Sequence, residues 1–228
     1  MRAAIYCRVS TDKQTTENQN RELNRVAKKM GWKISAVYSD VPDIPRSETS
    51  QTDPRSPYAE SKLVMEGLLG TSLRKNGLSY AAMRFFNVYG PRQNPHGEAG
   101  VVAIFTLRLL AGGQPVINGD GKQSRDYVFV GDVAHANLAA LQVDYTGSIN
   151  IGMAIETDVN TLFAELCSLT QSAASEEHGP AKSGEQRRSV LAWGHAQRVL
   201  GWSPDIAIAD GLRQTVEFFR ARHAKQAG

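Results

Sequence analysis

Hydrophobic and polar positions at the start of the chain predict a strand, a helix and a second strand. Residues Ala3–Val9 are mostly apolar, as are Trp32–Tyr38, and both runs are short enough for buried strands. Between them, Thr16–Met30 carries apolar side chains at helical spacing, and Gly31 follows as a typical helix-ending residue. This order predicts a βαβ unit with two parallel strands.

The rest of the pattern alternates between helices and strands, which predicts an α/β protein. The predicted helices are Tyr58–Leu73, Val101–Ala111, Val133–Leu141, Val159–Leu169, Ala192–Leu200 and Ile208–Ala221. The predicted strands are Ser79–Phe86, Val116–Ile117, Tyr127–Val130 and Gly147–Ile151. Pro57 suits the first position of its helix, and Asp132 and Asp158 are predicted N-caps. We expect Ser172–Gly184, which is small and polar, to be a surface loop.

Tyr58 and Lys62 are the first candidates for chemistry. They are four residues apart on a predicted helix, and residues at this spacing share one face. An ammonium group close to a phenol favours the phenolate, so the pair is a possible acid/base for a substrate hydroxyl. The alternative is a chance Tyr-x-x-x-Lys spacing in a chain with seven tyrosines.

Composition narrows the class of protein. The net charge of +3 does not by itself suggest nucleic acid or membrane binding. Two distant cysteines, Cys7 and Cys167, suggest a reduced compartment rather than a disulfide framework. No stretch approaches the ~20 apolar residues of a membrane span. We therefore expect a soluble cytoplasmic protein, and the five histidines show no metal-ligand spacing.

Several runs after Tyr58 carry a family resemblance. Residues 56–62 read SPYAESK, residues 83–93 read MRFFNVYGPRQ, and a Gly-Asp-Gly turn at 119–121 precedes RDYVFVGDV at 125–133. Together they resemble the extended short-chain dehydrogenases/reductases, in particular the nucleotide-sugar 4-epimerases that act on UDP-sugars. The resemblance extends from about Val41 to the C-terminus, and it implies an incomplete Rossmann-type parallel sheet with a C-terminal nucleotide-sugar-binding part.

The resemblance implies roles for individual residues. Tyr58 would transfer the proton, while Lys62 would lower its pKa and bind the nicotinamide ribose of NAD beside Phe85. On the substrate side, Asn87 would lie near the UDP diphosphate, and the helix start at Val101 would also contribute. The remaining substrate contacts implied are Asn118 near the uracil, Arg125 on a phosphate, and Lys182 where the family usually has a second arginine.

Other interpretations of two of these residues stay open. Asn87 is also suited to capping a strand end, and Arg125 is able to pair with Asp126 or Asp132 at the surface. The chain also departs from the family at the NAD site. It has no Gly-rich strand–turn–helix fingerprint, and Ile34 stands where the family has its catalytic serine or threonine. These departures predict weakened or absent NAD binding, and impaired or absent activity.

Residues 1–40 resemble a different family. The run at 6–14, YCRVSTDKQ, is similar to the start of serine recombinases of the resolvase/invertase type. That resemblance implies Ser10 as a nucleophile toward DNA and Arg8 as its phosphate contact. The alternative is that Ser10 only ends a strand and Arg8 is solvated.

The two resemblances predict a chimera whose segments are 1–40 and 41–228, with a junction near Ser35–Asp40. We expect UDP-sugar as the partner, with a possible homodimer, and no DNA, because a DNA-binding domain and a basic excess are missing. The alternatives are a recombinase fragment, a non-catalytic sugar-nucleotide-binding chimera or a chain without function. Because the family packs this helix and strand against elements that the chain lacks, we expect Leu63, Leu68, Leu69 and Phe85 to leave apolar surface uncovered.

Overall fold

The structure of this 228-residue chain is a computed structural model. It describes residues 2–8, 28–29, 33–40, 45–50, 52, 57–95, 100–182 and 186–227. The chain divides into two compact units, Met1–Asp43 and Ile44–Gly228. No described helix is both long enough and apolar enough to cross a membrane.

The first unit contains two paired strands. Strand β1 (Arg2–Arg8) pairs in parallel with β2 (Lys33–Asp40), from Arg2 opposite Lys33 to Arg8 opposite Asp40. The predicted parallel pairing is therefore confirmed. Of the helix predicted between them, only residues 28–29 are described, and they are helical. Ser10 and the side chain of Arg8 lie outside the described residues.

The second unit alternates helices and strands, as its sequence pattern predicts. Its described helices are α1 (Pro57–Lys75), α2 (Val101–Leu110), α3 (Val130–Ala140), α4 (Val159–Thr170), α5 (Gly194–Leu200) and α6 (Ile208–Ala227). Its described strands are β3 (Tyr80–Phe85), β4 (Asn87–Tyr89), β5 (Ile117–Asn118), β6 (Ser124–Phe129), β7 (Thr146–Ile151), β8 (Glu156–Asp158), β9 (His178–Gly179) and β10 (Arg188–Ser189).

Strand β6 is central to the pairing in this unit. It pairs in parallel with β4 and β10 and antiparallel with β8. Two further parallel pairs are β3 with β7 and β5 with β9. Because parallel strands need crossover connections, this pairing agrees with the alternation of strands and helices in the sequence.

Helices cover both faces of β6. Successive side chains of a strand point to opposite faces, and Tyr127 and Phe129 join one core cluster while Val128 joins another. The first cluster packs β6 against α2, α4 and α6, and the second packs it against α3, α5 and β7. The result is a layered α/β arrangement around one strand that is apolar on both faces.

Most element starts agree with the sequence, and two predicted features do not. Pro57 opens α1, and Asp158 caps α4 by accepting a hydrogen bond from the Thr161 amide at 2.7 Å. Asp132, in contrast, is not an N-cap. It lies inside the first turn of α3, where its carboxylate accepts the Ile206 amide at 3.1 Å. The stretch expected to be a surface loop, 172–184, contains the short strand β9.

Helix α1 exposes most of its apolar side chains. Leu63, Val64, Met65, Leu68 and Leu69 are all exposed, with Leu68 at 64% and Val64 at 59%. Phe85, at the end of β3, is 42% exposed. The prediction that Leu63, Leu68, Leu69 and Phe85 leave apolar surface uncovered is confirmed.

Candidate functional site

The strand pairing brings Asn87 next to the segment that contains Arg125. Asn87 opens β4 opposite Tyr127 of β6, and its side-chain amide donates to the Asp126 carbonyl oxygen at 3.3 Å. The Arg125 guanidinium is half-buried and donates to the Ser124 carbonyl oxygen at 2.8 Å. Two predicted substrate residues therefore lie on neighbouring strands of one parallel pair.

Asp126 organises the backbone around Arg125. Its side chain is 0% exposed, and its carboxylate accepts the amides of Met153 at 2.7 Å, Ala154 at 3.0 Å and Leu191 at 3.3 Å. Burial raises the pKa of this carboxyl, and the three amides oppose the shift. Both Asp126 and Asp132 are buried. The alternative of a surface ion pair between one of them and Arg125 is therefore wrong in placing the aspartate at the surface.

Asn118 and the loop that contains Lys182 also lie together. Strand β5 pairs with β9 so that Asn118 is opposite Gly179, three residues before Lys182. The Gln123 side chain donates to the Asn118 carbonyl oxygen at 2.9 Å, and a Cβ atom added at Gly119 would meet Ala181. Lys182 itself is exposed.

An ion pair ties the far end of the Lys182 loop to the turn after β5. Arg187 donates to both carboxylate oxygens of Asp120, at 2.7 and 3.0 Å. The guanidinium lowers the pKa of Asp120 to about 2. Gly179 and Arg187, which lie on either side of Lys182 in the sequence, are therefore both held close to the segment Asn118–Asp120.

The candidate acid/base pair is on the first two turns of α1. Tyr58 is the second residue of the helix and Lys62 is exposed one turn later. The side chain of Tyr58 lies outside the described residues. Helical spacing still places both positions on one face.

A hydrogen-bonded cluster fastens α1 to the sheet one turn beyond Lys62. Arg84 of β3 donates to Glu66 through Nε at 2.9 Å and through Nη2 at 2.7 Å. Ser148 of β7 donates to the same carboxylate. The hydrogen bonds from Arg84 are the main cause that lowers the pKa of Glu66, against the effect of burial.

The segment before α1 contacts the same strands. The Glu48 carboxylate accepts the Asn150 amide at 2.8 Å, and the Arg46 carbonyl oxygen accepts from the Asn150 side chain at 3.1 Å. Sequence reasoning missed Glu48, Glu66 and Arg84. The usable signal was the pair of opposite charges on a predicted helix, at Glu66, and on the predicted strand that follows it, at Arg84.

Three glycines near strand ends and helix starts of this unit, Gly90, Gly100 and Gly131, are packed closely against side chains of the chain itself. A Cβ atom added at Gly90 would meet the side chain of Val130, and one added at Gly131 would meet Phe129. A Cβ atom added at Gly100 would meet Gln93. These glycines therefore serve packing within the chain, whereas a pyrophosphate turn uses glycine to admit the ligand. The described residues contain no Gly-rich turn between a strand and a helix that would admit the pyrophosphate of NAD.

Two family models match the chain. Residues 28–152 match the NAD dependent epimerase/dehydratase family, and residues 3–43 match the resolvase N terminal domain. Both resemblances inferred from the sequence are confirmed. The two matches overlap at residues 28–43, and the overlap contains Ser35–Asp40, where the sequence is similar to both families.

Relatives and solved structures agree with the first of these matches. UDP-glucose 4-epimerase of Mycolicibacterium smegmatis is 42% identical over 186 residues, which are 81% of this chain and 59% of that relative. The chain thus spans less than two thirds of the length of this relative.

Two crystal structures share the fold. UDP-glucose 4-epimerase from Thermotoga maritima, with UDP-glucose, is 36% identical with a TM-score of 0.79, over 96% of this chain and 78% of that chain. UDP-glucose 4-epimerase from Thermus thermophilus, in complex with NAD, is 33% identical with a TM-score of 0.73, over 89% and 68%. The predicted α/β class is confirmed.

Proposed function

The chain belongs to the NAD-dependent epimerase/dehydratase family, and on that premise we propose that it binds a UDP-sugar around Arg125. The observation that carries the proposal is the neighbourhood of Asn87, Asp126 and Arg125. Asn87 contacts the backbone of Asp126, whose buried carboxylate fixes the segment that presents Arg125. The Thermotoga maritima relative was crystallised with UDP-glucose.

Each substrate residue has a role that its chemistry suits. The planar guanidinium of Arg125 binds a phosphate in a bidentate manner, and Lys182 adds a positive charge without that geometry. Helix α2 begins at Val101, and no side chain caps it at Gly100. The amides of Ala103 and Ile104 donate to the Gly100 carbonyl oxygen, so we assign the amides of Val101 and Val102 to an anion such as the diphosphate. We assign Asn118 to the uracil, as the family resemblance implies.

For the sugar, we propose that Tyr58 exchanges a proton with the hydroxyl at C4, with Lys62 lowering the pKa of the phenol. NAD would supply the hydride chemistry of this family, and Lys62 and Phe85 would hold its nicotinamide ribose, but the described residues contain no Gly-rich turn for its pyrophosphate. We therefore assign no hydride-transfer step to this chain. The proposal is a sugar-nucleotide-binding protein of the epimerase type whose epimerase activity is impaired.

Calorimetric titration with UDP tests this assignment. A charge-assisted contact to phosphate contributes about 1.5–3 kcal/mol, so Arg125→Ala should lower UDP affinity about tenfold to a hundredfold. The matched control is Arg188→Ala on the adjacent strand β10, because Arg188 pairs with Glu156, at 2.9 Å through Nε. Equal UDP affinity in the wild type and Arg125→Ala would show that the residue roles do not transfer from the family to this chain.

A further inference from the structure

A cleft of about 330 Å³ lies between α2, α6 and the loop that follows β4. Arg92 and Gln93 of that loop line it, together with Arg222 and His223 near the end of α6. Its apolar side is formed by Leu107 and Phe219. None of these residues has a role in the proposed UDP site.

The cleft is cationic and is not neutralised by the described part of the chain. Neither Arg92 nor Arg222 forms an ion pair or a side-chain hydrogen bond with a described residue, and no described carboxylate lines the cleft. Four other arginines of this unit form ion pairs, namely Arg84, Arg187, Arg188 and Arg213. Arg213, on the same helix as Arg222, contacts Asp210 at 2.8 Å. Two like charges that face one cleft favour an anionic ligand.

The backbone at Arg92 is held in an unfavourable conformation. Its φ of 70° lies in the left-handed region, which glycine or asparagine adopts at lower cost. The loop maintains this conformation through Gln93, whose side-chain amide donates to the Val88 carbonyl oxygen at 2.9 Å. Strained backbone of this kind persists where the surroundings enforce it, and it often marks a ligand site.

We propose that this cleft binds a small phosphate-bearing anion at a site separate from the UDP site. A guanidinium presents paired donors that match phosphate oxygens, and the cleft contains two of them. Its volume is at the lower end of the range of about 300–1,000 Å³ typical of small-molecule sites. A compact anion therefore fits the cleft better than a nucleic-acid backbone, which binds to extended basic surfaces.

Calorimetric titration with inorganic pyrophosphate, on protein saturated with UDP, tests the proposal. Saturation removes the UDP site from the measurement. We expect one pyrophosphate per chain, with affinity reduced about tenfold or more in Arg92→Gly and in Arg222→Ala. Glycine suits the φ at Arg92, so Arg92→Gly should melt no lower than the wild type. The control Arg213→Ala should bind pyrophosphate like the wild type.

Three results would overturn the proposal: no pyrophosphate binding by the wild type, undiminished binding by both cleft variants, or an equal loss in Arg213→Ala. Preference for a short DNA duplex over pyrophosphate, lost in the same cleft variants, would also overturn it in favour of a nucleic-acid surface. The pyrophosphate titration is repeated without UDP on the Arg125→Ala variant, in which the proposed UDP site is weakened. Pyrophosphate binding in that variant reports on the cleft alone, so failure of the UDP site is distinguished from failure of the cleft.

Discussion

Replacing Glu66 with alanine should destabilise the second unit, because Glu66 joins α1 to β3 and β7. The variant removes both hydrogen bonds from Arg84 and the one from Ser148. The two charged side chains are 24% and 28% exposed, so their pair is neither a surface pair nor a fully buried one. Surface pairs contribute about 0–1 kcal/mol, whereas breaking a buried pair costs about 3–5 kcal/mol.

Glu66→Ala should therefore lower the free energy of unfolding by an intermediate amount, about 1.5–3 kcal/mol, which is typical of hydrogen bonds to charged groups. For a domain of this size each kcal/mol lowers Tm by about 2–4 °C, so Tm should fall by about 3–12 °C. The assay is thermal unfolding followed by circular dichroism and tryptophan fluorescence. Glu60→Ala is the matched control, because Glu60 is an exposed glutamate on the same helix.

Acidification should reduce the difference in thermal stability between the wild type and Glu66→Ala. The folded-state pKa of Glu66 is lowered, chiefly by Arg84. The stabilisation is therefore fully present above the unfolded pKa of about 4.3 and is lost as pH falls through the lower folded value. A Glu66→Ala variant that melts no lower than Glu60→Ala at neutral pH would refute the reasoning.

Three further predictions concern cofactor, assembly and DNA. Purified protein should release no NAD on denaturation, and near-stoichiometric NAD in an enzymatic assay of the supernatant would contradict this. The exposed apolar side chains of α1 should cause self-association, since each one left uncovered forgoes about 1.5–3 kcal/mol. Light scattering should then show a lower mass for Val64→Glu/Leu68→Glu, and a monomeric wild type would contradict this. No covalent adduct with supercoiled recombination-site DNA should form, and an adduct lost in Ser10→Ala would overturn this expectation.

Helix starts that depend only on residues nearby in the chain were predicted correctly from the sequence. Pro57 at the start of α1 and Asp158 before α4 act through groups within one helical turn, so a short window contains the necessary information. The parallel pairing of β1 with β2 followed from the strand–helix–strand order. The two-residue strands β9 and β10 were missed because so short a segment has no periodicity.

Long-range contacts account for the features that the sequence left open. Asp132 resembled an N-cap, but α3 begins at Val130, and the aspartate is buried and accepts the distant Ile206 amide. Asp126 contacts Leu191, which is far away in the chain. Tyr58 and Lys62 were selected by their helical spacing and by a family resemblance, and their roles stay predictions.

The relative affinity for UDP and NAD is the most direct test of the central claim. We propose that Asn87, Arg125 and the start of α2 bind the diphosphate, whereas the described residues contain no Gly-rich turn for the pyrophosphate of NAD. Calorimetric titration of the whole chain with UDP-glucose, UDP and NAD should give a lower Kd for both uridine nucleotides than for NAD. Tighter binding of NAD than of UDP would contradict the account.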